Sequence, residues 1–176
     1  MHKISYKDIP KFTRVGNYQV DVPLDGLLDA LDRYLEKYGL EMNPDFQRGH
    51  VWTEAQQIAF VEFILCGGNT TPIYLNHPNW MNSMSKGDFV VVDGLQRLTA
   101  LLRFLKNEIQ VFGKYFFSDF DFIDGDLKIN INNLKTRKEV LKWYLEINSG
   151  GTPHTKEEIE RIKSLLEIEH KKSRPT

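Results

Sequence analysis

The 176-residue chain has a single cysteine, Cys66, so it cannot form an intramolecular disulfide bond. This fits a reducing, cytoplasmic environment, and Cys66 itself, which follows an apolar run, is expected to be a small buried residue. No apolar stretch is long enough to span a membrane. The N-terminus lacks the apolar segment of a signal peptide. We therefore expect a cytoplasmic protein without a membrane anchor.

Net charge is also nearly absent, because 23 Lys and Arg residues stand against 24 Asp and Glu residues. Such a chain does not coat DNA through overall charge, although a few well-placed cations could still form a basic cleft. The five histidines show no metal-ligand spacing, so no metal site is predicted. The acidic residues Asp119, Asp121, Asp124 and Asp126 lack the pattern of an EF-hand and predict a solvated loop.

The chain does have the length and the apolar content, 41%, for one domain with its own core. Helical and strand-like patterns are interspersed, which predicts an α+β or mixed α/β fold with a small mixed sheet flanked by helices. We predict an N-terminal arm over residues 1–17, a single domain over residues 18–170 and a disordered tail over residues 171–176.

Apolar periodicity places the individual elements. Strands are predicted where β-branched and aromatic residues alternate or cluster, at residues 18–22, 72–75, 89–92, 109–112, 115–117 and 127–131. Helices are predicted where apolar residues recur at three- or four-residue spacing, at residues 24–35, 54–65, 98–105, 137–147 and from 156 toward 170. Thr53 is expected to cap the second helix, which Gly67 and Gly68 end.

The strongest chemical signal is the turn Asp93-Gly94-Leu95-Gln96-Arg97, which joins a buried strand to a helix. Such a turn points backbone N–H groups and the positive helix end at one place, where a phosphate can bind. Gly94 would let the backbone approach the ligand, and Arg97 would fork onto phosphate oxygens. Gln96 could donate to oxygen or orient a water molecule. Asp93 could hold a metal, accept from a ribose hydroxyl, act as a base, or only cap the helix.

Two further polar clusters flank this turn in sequence. The first, Pro44-Asp45-Phe46-Gln47-Arg48-Gly49, precedes Trp52, on which the Arg48 guanidinium could simply stack. The second, Asn148-Ser149-Gly150-Gly151-Thr152, is glycine-rich but lacks the lysine of a P-loop. Taken alone, it predicts a loop that connects two helices.

Together the three clusters resemble a known family. A Phe-Gln-Arg-Gly-x-Val-Trp segment, a Pro-Ile-x-Leu strand, the run Val-Val-Asp-Gly-x-Gln-Arg-Leu-Thr-Ala-Leu and the run Ile-Asn-Ser-Gly-Gly-Thr-Pro follow one another. This order resembles the N-terminal domain of the GmrSD type IV restriction endonucleases, within the ParB/sulfiredoxin-like superfamily. The resemblance covers roughly residues 20–162. The family usually has Gln at the position of Leu95, which would remove one polar group from the site.

The resemblance implies an α/β module that binds and hydrolyses a nucleoside triphosphate, with Mg²⁺ as companion, in restriction systems that attack modified phage DNA. It makes three residues of the signature turn catalytic candidates: Asp93, Gln96 and Arg97. It makes eight residues candidates for holding the nucleotide and its phosphates: Gln47, Arg48, Gly94, Arg97, Thr99, Asn148, Gly150 and Gly151.

Two other functions stay open beside an NTPase. The chain could be a non-catalytic module whose arginines grip a DNA or RNA backbone, with help from Trp80 and Lys86 on a polar loop. It could instead be an interaction protein that binds a separate nuclease or restriction subunit and interferes with it. The GmrSD enzymes carry a separate HNH-type nuclease domain, and no such motif is found here, so DNA cleavage by this chain is not expected.

Overall fold

The computed structural model describes residues 4, 9, 17–47, 49, 51–80, 86–149 and 156–172. The helices in this part are α1 (Leu27–Tyr38), α2 (Glu54–Leu65), α3 (Leu95–Leu105), α4 (Phe116–Asp119), α5 (Arg137–Ser149) and α6 (Lys156–Lys172). The strands are β1 (Tyr18–Pro23), β2 (Ile73–Asn76), β3 (Val90–Asp93) and β4 (Asp126–Asn132). The fold is mixed α+β, as predicted. The boundaries predicted at residues 17 and 170 stay predictions.

The four strands form one mixed sheet in the order β1-β4-β2-β3. Strand β4 pairs antiparallel with β1 and parallel with β2, and β2 pairs antiparallel with β3. The outer edge of β3 is covered by Glu41, whose N–H donates to the Phe89 carbonyl at 2.8 Å and whose carbonyl accepts from the Val91 N–H at 3.0 Å. The chain that follows α1 therefore passes along β3, beside the predicted phosphate turn.

The side chains of the strands contribute to two hydrophobic cores, one on each face of the sheet, because successive residues of a strand point to opposite faces. Ile73, Leu75 and Val91 belong to the larger core, which also contains leucines of α1 and α3. Tyr74 and Val92 pack instead against the smaller core formed with α5 and α6. Helix α2 packs on α3, and α6 packs on α5. The two faces of the β2–β3 half of the sheet are thus both covered.

The strands predicted at residues 109–112 and 115–117 are wrong. Val111 and Lys114 form only an isolated bridge, and Phe116 begins the short helix α4. The rings of Phe116 and Phe120 lie 5.5 Å and 5.4 Å from the Phe104 ring. A helix brings residues four apart to within about 6 Å, whereas a strand separates them by about 13 Å, so packing both rings on Phe104 favours the helix over an extended strand.

Two smaller predictions also need correction. Cys66 is exposed, because it lies at the C-terminal end of α2 and not on its buried side. Asn148, predicted in a loop, lies in the last turn of α5, where its Nδ2 donates to the Tyr144 carbonyl at 2.7 Å. Thr53 does cap α2, in a reciprocal capping box with Gln56. No helix among the described residues has both the length and the apolar content to cross a membrane.

Candidate functional site

The signature turn begins where β3 ends and α3 starts. Gly94 is the N-cap residue of α3 and has a φ of 100°, in the left-handed region that favours glycine. A Cβ atom at this position would lie 2.5 Å from Cδ1 of Ile73 and 3.3 Å from its Cα. The close approach that requires glycine is therefore the packing of the turn against β2, which holds the start of α3 on the sheet.

A β-bulge orients Asp93. Leu75 lies opposite Val91, whereas Tyr74 lies opposite Asp93, so β3 contains one more residue than β2 over this stretch. Such an insertion re-aims the side chain that follows it. It brings Asp93 level with Tyr74, on the face of the sheet that α5 covers.

The Arg97 side chain is occupied by partners within the protein. Its guanidinium pairs with the Asp93 carboxylate at 2.8 Å and donates to the hydroxyls of Thr71 at 2.7 Å and Thr70 at 3.2 Å. It also donates to the Thr71 carbonyl, and to the Pro72 carbonyl at 3.3 Å. Only 12% of the side chain is exposed. Arg97 thus ties the start of α3 to the chain that enters β2.

Burial and ion pairing have opposite effects on the pKa of the Arg97 guanidinium. Burial lowers the pKa of Arg97, while the charge of Asp93, the neighbouring Tyr74 and the hydrogen bond to Asp93 each act to raise it. Arginine stays protonated at neutral pH even so. The Asp93 side chain is 29% exposed, so the ion pair lies at the surface of the turn.

Gln96 holds a segment that is distant in sequence. Its Oε1 accepts from the N–H groups of Val51 at 2.9 Å and Trp52 at 3.1 Å, and its Nε2 donates to the Gly49 carbonyl at 3.1 Å. We call residues 47–52 the strap; residues 48 and 50 of it lie outside the described residues. One carboxamide therefore fixes three backbone groups of the strap to the first turn of α3.

The other end of the strap is fixed by Gln47. Its side chain is buried, and its Nε2 donates to the Val91 carbonyl of β3 at 2.8 Å. Both predicted glutamines thus act on the backbone and not on solvent. Arg48, the predicted phosphate ligand between Gln47 and Gly49, lies outside the described residues.

The N-terminus of α3 receives no side-chain cap from the part of the chain that the structure describes. The alternative in which Asp93 caps the helix is wrong, since Gly94 is the N-cap residue and the Asp93 carboxylate pairs with Arg97. The first-turn N–H groups of a helix have no partner inside it. Here they lie next to the strap, which Gln96 of the same turn holds.

Helix α5, which carries the described start of the third cluster, approaches the same end of β3. The Trp143 ring lies 5.8 Å from the Tyr74 ring, and Tyr74 is opposite Asp93. Helix α5 continues from Trp143 to Ser149. Gly150 and Gly151, predicted to bind phosphate, lie outside the described residues. Thr99 lies half-buried in the second turn of α3.

Two sequence interpretations are changed by the geometry. Leu95 packs in the larger core at 7% exposure, so a leucine there takes no polar group away from the outer side of the turn. Trp80 is also buried, at 6% exposure, against Tyr34 and Phe89, and so cannot stack on a nucleic acid base. Among the described residues no group of three or more His, Cys, Asp or Glu residues could hold a metal ion.

Sequence reasoning missed the partners of Arg97. Thr70, Thr71 and Pro72 precede β2, and no motif connects them to a turn more than twenty residues later. Tyr74 was predicted as a strand residue, but its position opposite Asp93 was not predicted. Their roles depend on which strand neighbours β3, which a local pattern does not specify.

A search of curated proteins finds no match to this chain. A family model does match: that of the GmrSD restriction endonuclease, N-terminal domain, over residues 27–124. The matched region spans more than half of the 176 residues and contains α1, the strap, β2, β3 and the signature turn. The chain therefore belongs to the family of the GmrSD restriction endonuclease N-terminal domain.

Proposed function

We propose that this chain is the nucleotide-binding domain of a restriction system, with the phosphates of a nucleoside triphosphate held at the N-terminus of α3. The family name supports the restriction system. The start of α3 supports the phosphate site, because no described side chain caps it, and the first-turn N–H groups and the positive helix end attract anions.

The observation that carries this proposal is the clamp that Gln96 makes on the strap. Gln47 and Gln96 fix the backbone on both sides of Arg48 to β3 and α3. The described neighbours of position 48, Gln47 and Gly49, are therefore held at β3 and at the first turn of α3. A mobile cation would lose more freedom on binding a phosphate than one whose backbone is already fixed.

The residues of the signature turn have divided roles in this proposal. Backbone N–H groups of α3 and the Arg48 guanidinium contact phosphate oxygens, joined by the backbone of Gly150 and Gly151. Gln96 and the Asp93–Arg97 pair position these groups, because their polar atoms already bond within the protein. Thr99, half-buried in α3, and Asn148, in the last turn of α5, stay predicted contacts of the nucleotide.

The proposal also includes hydrolysis of the bound triphosphate. Asp93 is the carboxylate of the turn, and it faces water with 29% of its side chain while paired with Arg97. From there it could orient a water molecule toward the last phosphate. Mg²⁺ is proposed only as the companion of the triphosphate, since the described residues hold no metal-ligand cluster of their own.

The test is titration calorimetry of ATP, GTP, CTP and UTP with Mg²⁺, together with phosphate release. The variants are Arg48→Ala and, as matched control, Arg33→Ala, which removes an exposed arginine of α1. Charge-assisted hydrogen bonds contribute about 1.5–3 kcal/mol each, so Arg48→Ala should weaken binding at least tenfold. Arg33→Ala should change it less than about twofold.

Two outcomes would refute the nucleotide proposal. The first is that no triphosphate binds the wild type, and the second is that Arg48→Ala and Arg33→Ala bind alike. A parallel titration with short duplex DNA tests the alternative of a nucleic-acid-binding module. Affinity for a DNA phosphate backbone falls steeply as the salt concentration rises. Binding without phosphate release would make the domain a nucleotide sensor and remove hydrolysis from the proposal.

A further inference from the structure

The connection between α3 and β4 exposes an unusual number of aromatic side chains. Phe117 is 67% exposed and Phe122 is 71% exposed, with Phe112 at 52% and Tyr115 at 39%. Phenylalanine is normally among the most buried residue types, and single exposed ones are ordinary, whereas several together mark an interaction surface. Four such residues within eleven positions therefore need an explanation other than folding.

The same segment is held firmly to the protein by other aromatic residues. The Phe116 and Phe120 rings pack 5.5 Å and 5.4 Å from the buried Phe104 ring. The Phe117 N–H donates to Oδ1 of Asn107 at 2.9 Å. The outward rings are thus presented on a fixed backbone, which reduces the entropy lost when a partner binds.

Charge identifies the chemistry of the partner. Residues 115–126, which we call the aspartate–aromatic segment, contain Asp119, Asp121, Asp124 and Asp126 and no Lys or Arg. All four aspartates are exposed. The flanking cations are Lys114 and Lys128. Such a surface repels phosphate backbones and anionic lipids and attracts cations.

Aromatic rings beside carboxylates favour one cation in particular. The planar guanidinium of arginine stacks on aromatic faces and forks onto carboxylates, whereas the lysine ammonium is a strongly hydrated point charge. We propose that the aspartate–aromatic segment docks an arginine-rich segment of a partner protein. This surface is independent of the phosphate site, so a failure of either proposal leaves the other standing.

Fluorescence anisotropy tests the docking, with a labelled nine-residue arginine peptide and a nine-residue lysine peptide as probes. The wild type should bind the arginine peptide about fivefold more tightly than the lysine peptide, as expected for two or three exposed cation–π contacts. The double variant Phe117→Ser/Phe122→Ser should lose this preference. The double variant Asp119→Asn/Asp121→Asn should weaken both peptides by about tenfold.

Matched controls separate this surface from general stickiness and net charge. Ile168→Ser removes an exposed apolar residue of α6, and Asp29→Asn/Asp32→Asn removes two exposed aspartates of α1. Both controls should keep the arginine preference. Equal binding of the two peptides to the wild type, or a preference that survives the phenylalanine variants, would overturn the proposal. Phenylalanine-dependent sedimentation with phosphatidylcholine vesicles, with no peptide preference, would assign the surface to a membrane instead.

Discussion

The Arg97 guanidinium and the Asp93 carboxylate lie 2.8 Å apart, one helical turn from each other at the start of α3. The two charged residues of the family signature thus neutralise each other. The Nη1 and Nη2 groups of Arg97 also donate to hydroxyls and carbonyls of residues 70–72. In this structure the pair braces the turn against β2, and a ligand that used the Arg97 side chain would have to replace those partners.

Replacing Arg97 should therefore reduce stability before it affects any ligand. Arg97→Met leaves Asp93 unpaired and takes the donor from the exposed Thr71 carbonyl and the partly buried Pro72 carbonyl, which should cost about 1–3 kcal/mol of unfolding free energy. Asp93→Asn should cost less, about 1 kcal/mol, because Arg97 keeps its contacts to residues 70–72. Urea denaturation of both single variants and the double variant measures the coupling energy between Arg97 and Asp93. A coupling energy near zero would show that the ion pair contributes nothing to the brace.

Gly94→Ala should disturb the same turn sterically. The added methyl would lie 2.5 Å from Cδ1 of Ile73, in a backbone conformation with a φ of 100°. Overpacking and the unfavourable φ should together cost about 2–4 kcal/mol.

Gly87→Ala is the matched control for this change. Gly87 has a φ of 113°, but a Cβ there would meet no atom within 4 Å, so only the conformational cost of about 1 kcal/mol should appear. Adding Ile73→Val to Gly94→Ala removes the contacted Cδ1 and should recover part of the loss. If both glycine variants lose equal stability, the contact with Ile73 is not what requires glycine.

The sequence was enough to predict the turn between β3 and α3. It was not enough to predict which residues that turn contacts. A β-branched run followed by Asp-Gly and a helical apolar pattern indicated the β3–α3 turn correctly. The bulge that turns Asp93 toward Tyr74 and the acceptors of Arg97 depend on β2, which lies about twenty residues earlier. The strands expected at 109–112 and 115–117 failed for the same reason. The aromatic pattern is compatible with a strand or a helix. The helix forms because the rings pack on Phe104, which lies earlier in the chain.

The clamp on the strap predicts slow hydrogen exchange at two backbone amides. Val51 and Trp52 donate to Oε1 of Gln96, although both lie outside regular secondary structure. Gln96→Ala removes the acceptor and should speed exchange at both amides by about tenfold. Gln96→Glu keeps the acceptor but cannot donate to the Gly49 carbonyl, so its effect should be intermediate.

The measurement is exchange of the peptide that covers residues 49–53, by mass spectrometry at fixed pH. Gln19→Ala, an exposed glutamine of β1, is the control and should leave exchange of that peptide unchanged. Because this experiment contains no nucleotide, it tests the clamp separately from the nucleotide proposal. Unchanged exchange in Gln96→Ala would show that the strap is held by other contacts.

Asp119 should contribute stability that depends on pH. Its Oδ2 accepts from the Tyr115 N–H at 2.8 Å, and this backbone hydrogen bond, with smaller effects of Ser118 and Lys114, lowers the pKa of Asp119. A carboxyl whose pKa is lower in the folded state stabilises the fold above its unfolded value, near 3.9. That contribution is lost as the pH falls through the lower, folded value. The stability difference between wild type and Asp119→Asn should therefore be largest near pH 7 and vanish toward pH 2, in urea denaturation at several pH values. A difference that stays constant across that range would mean that the hydrogen bond does not favour the ionised carboxylate.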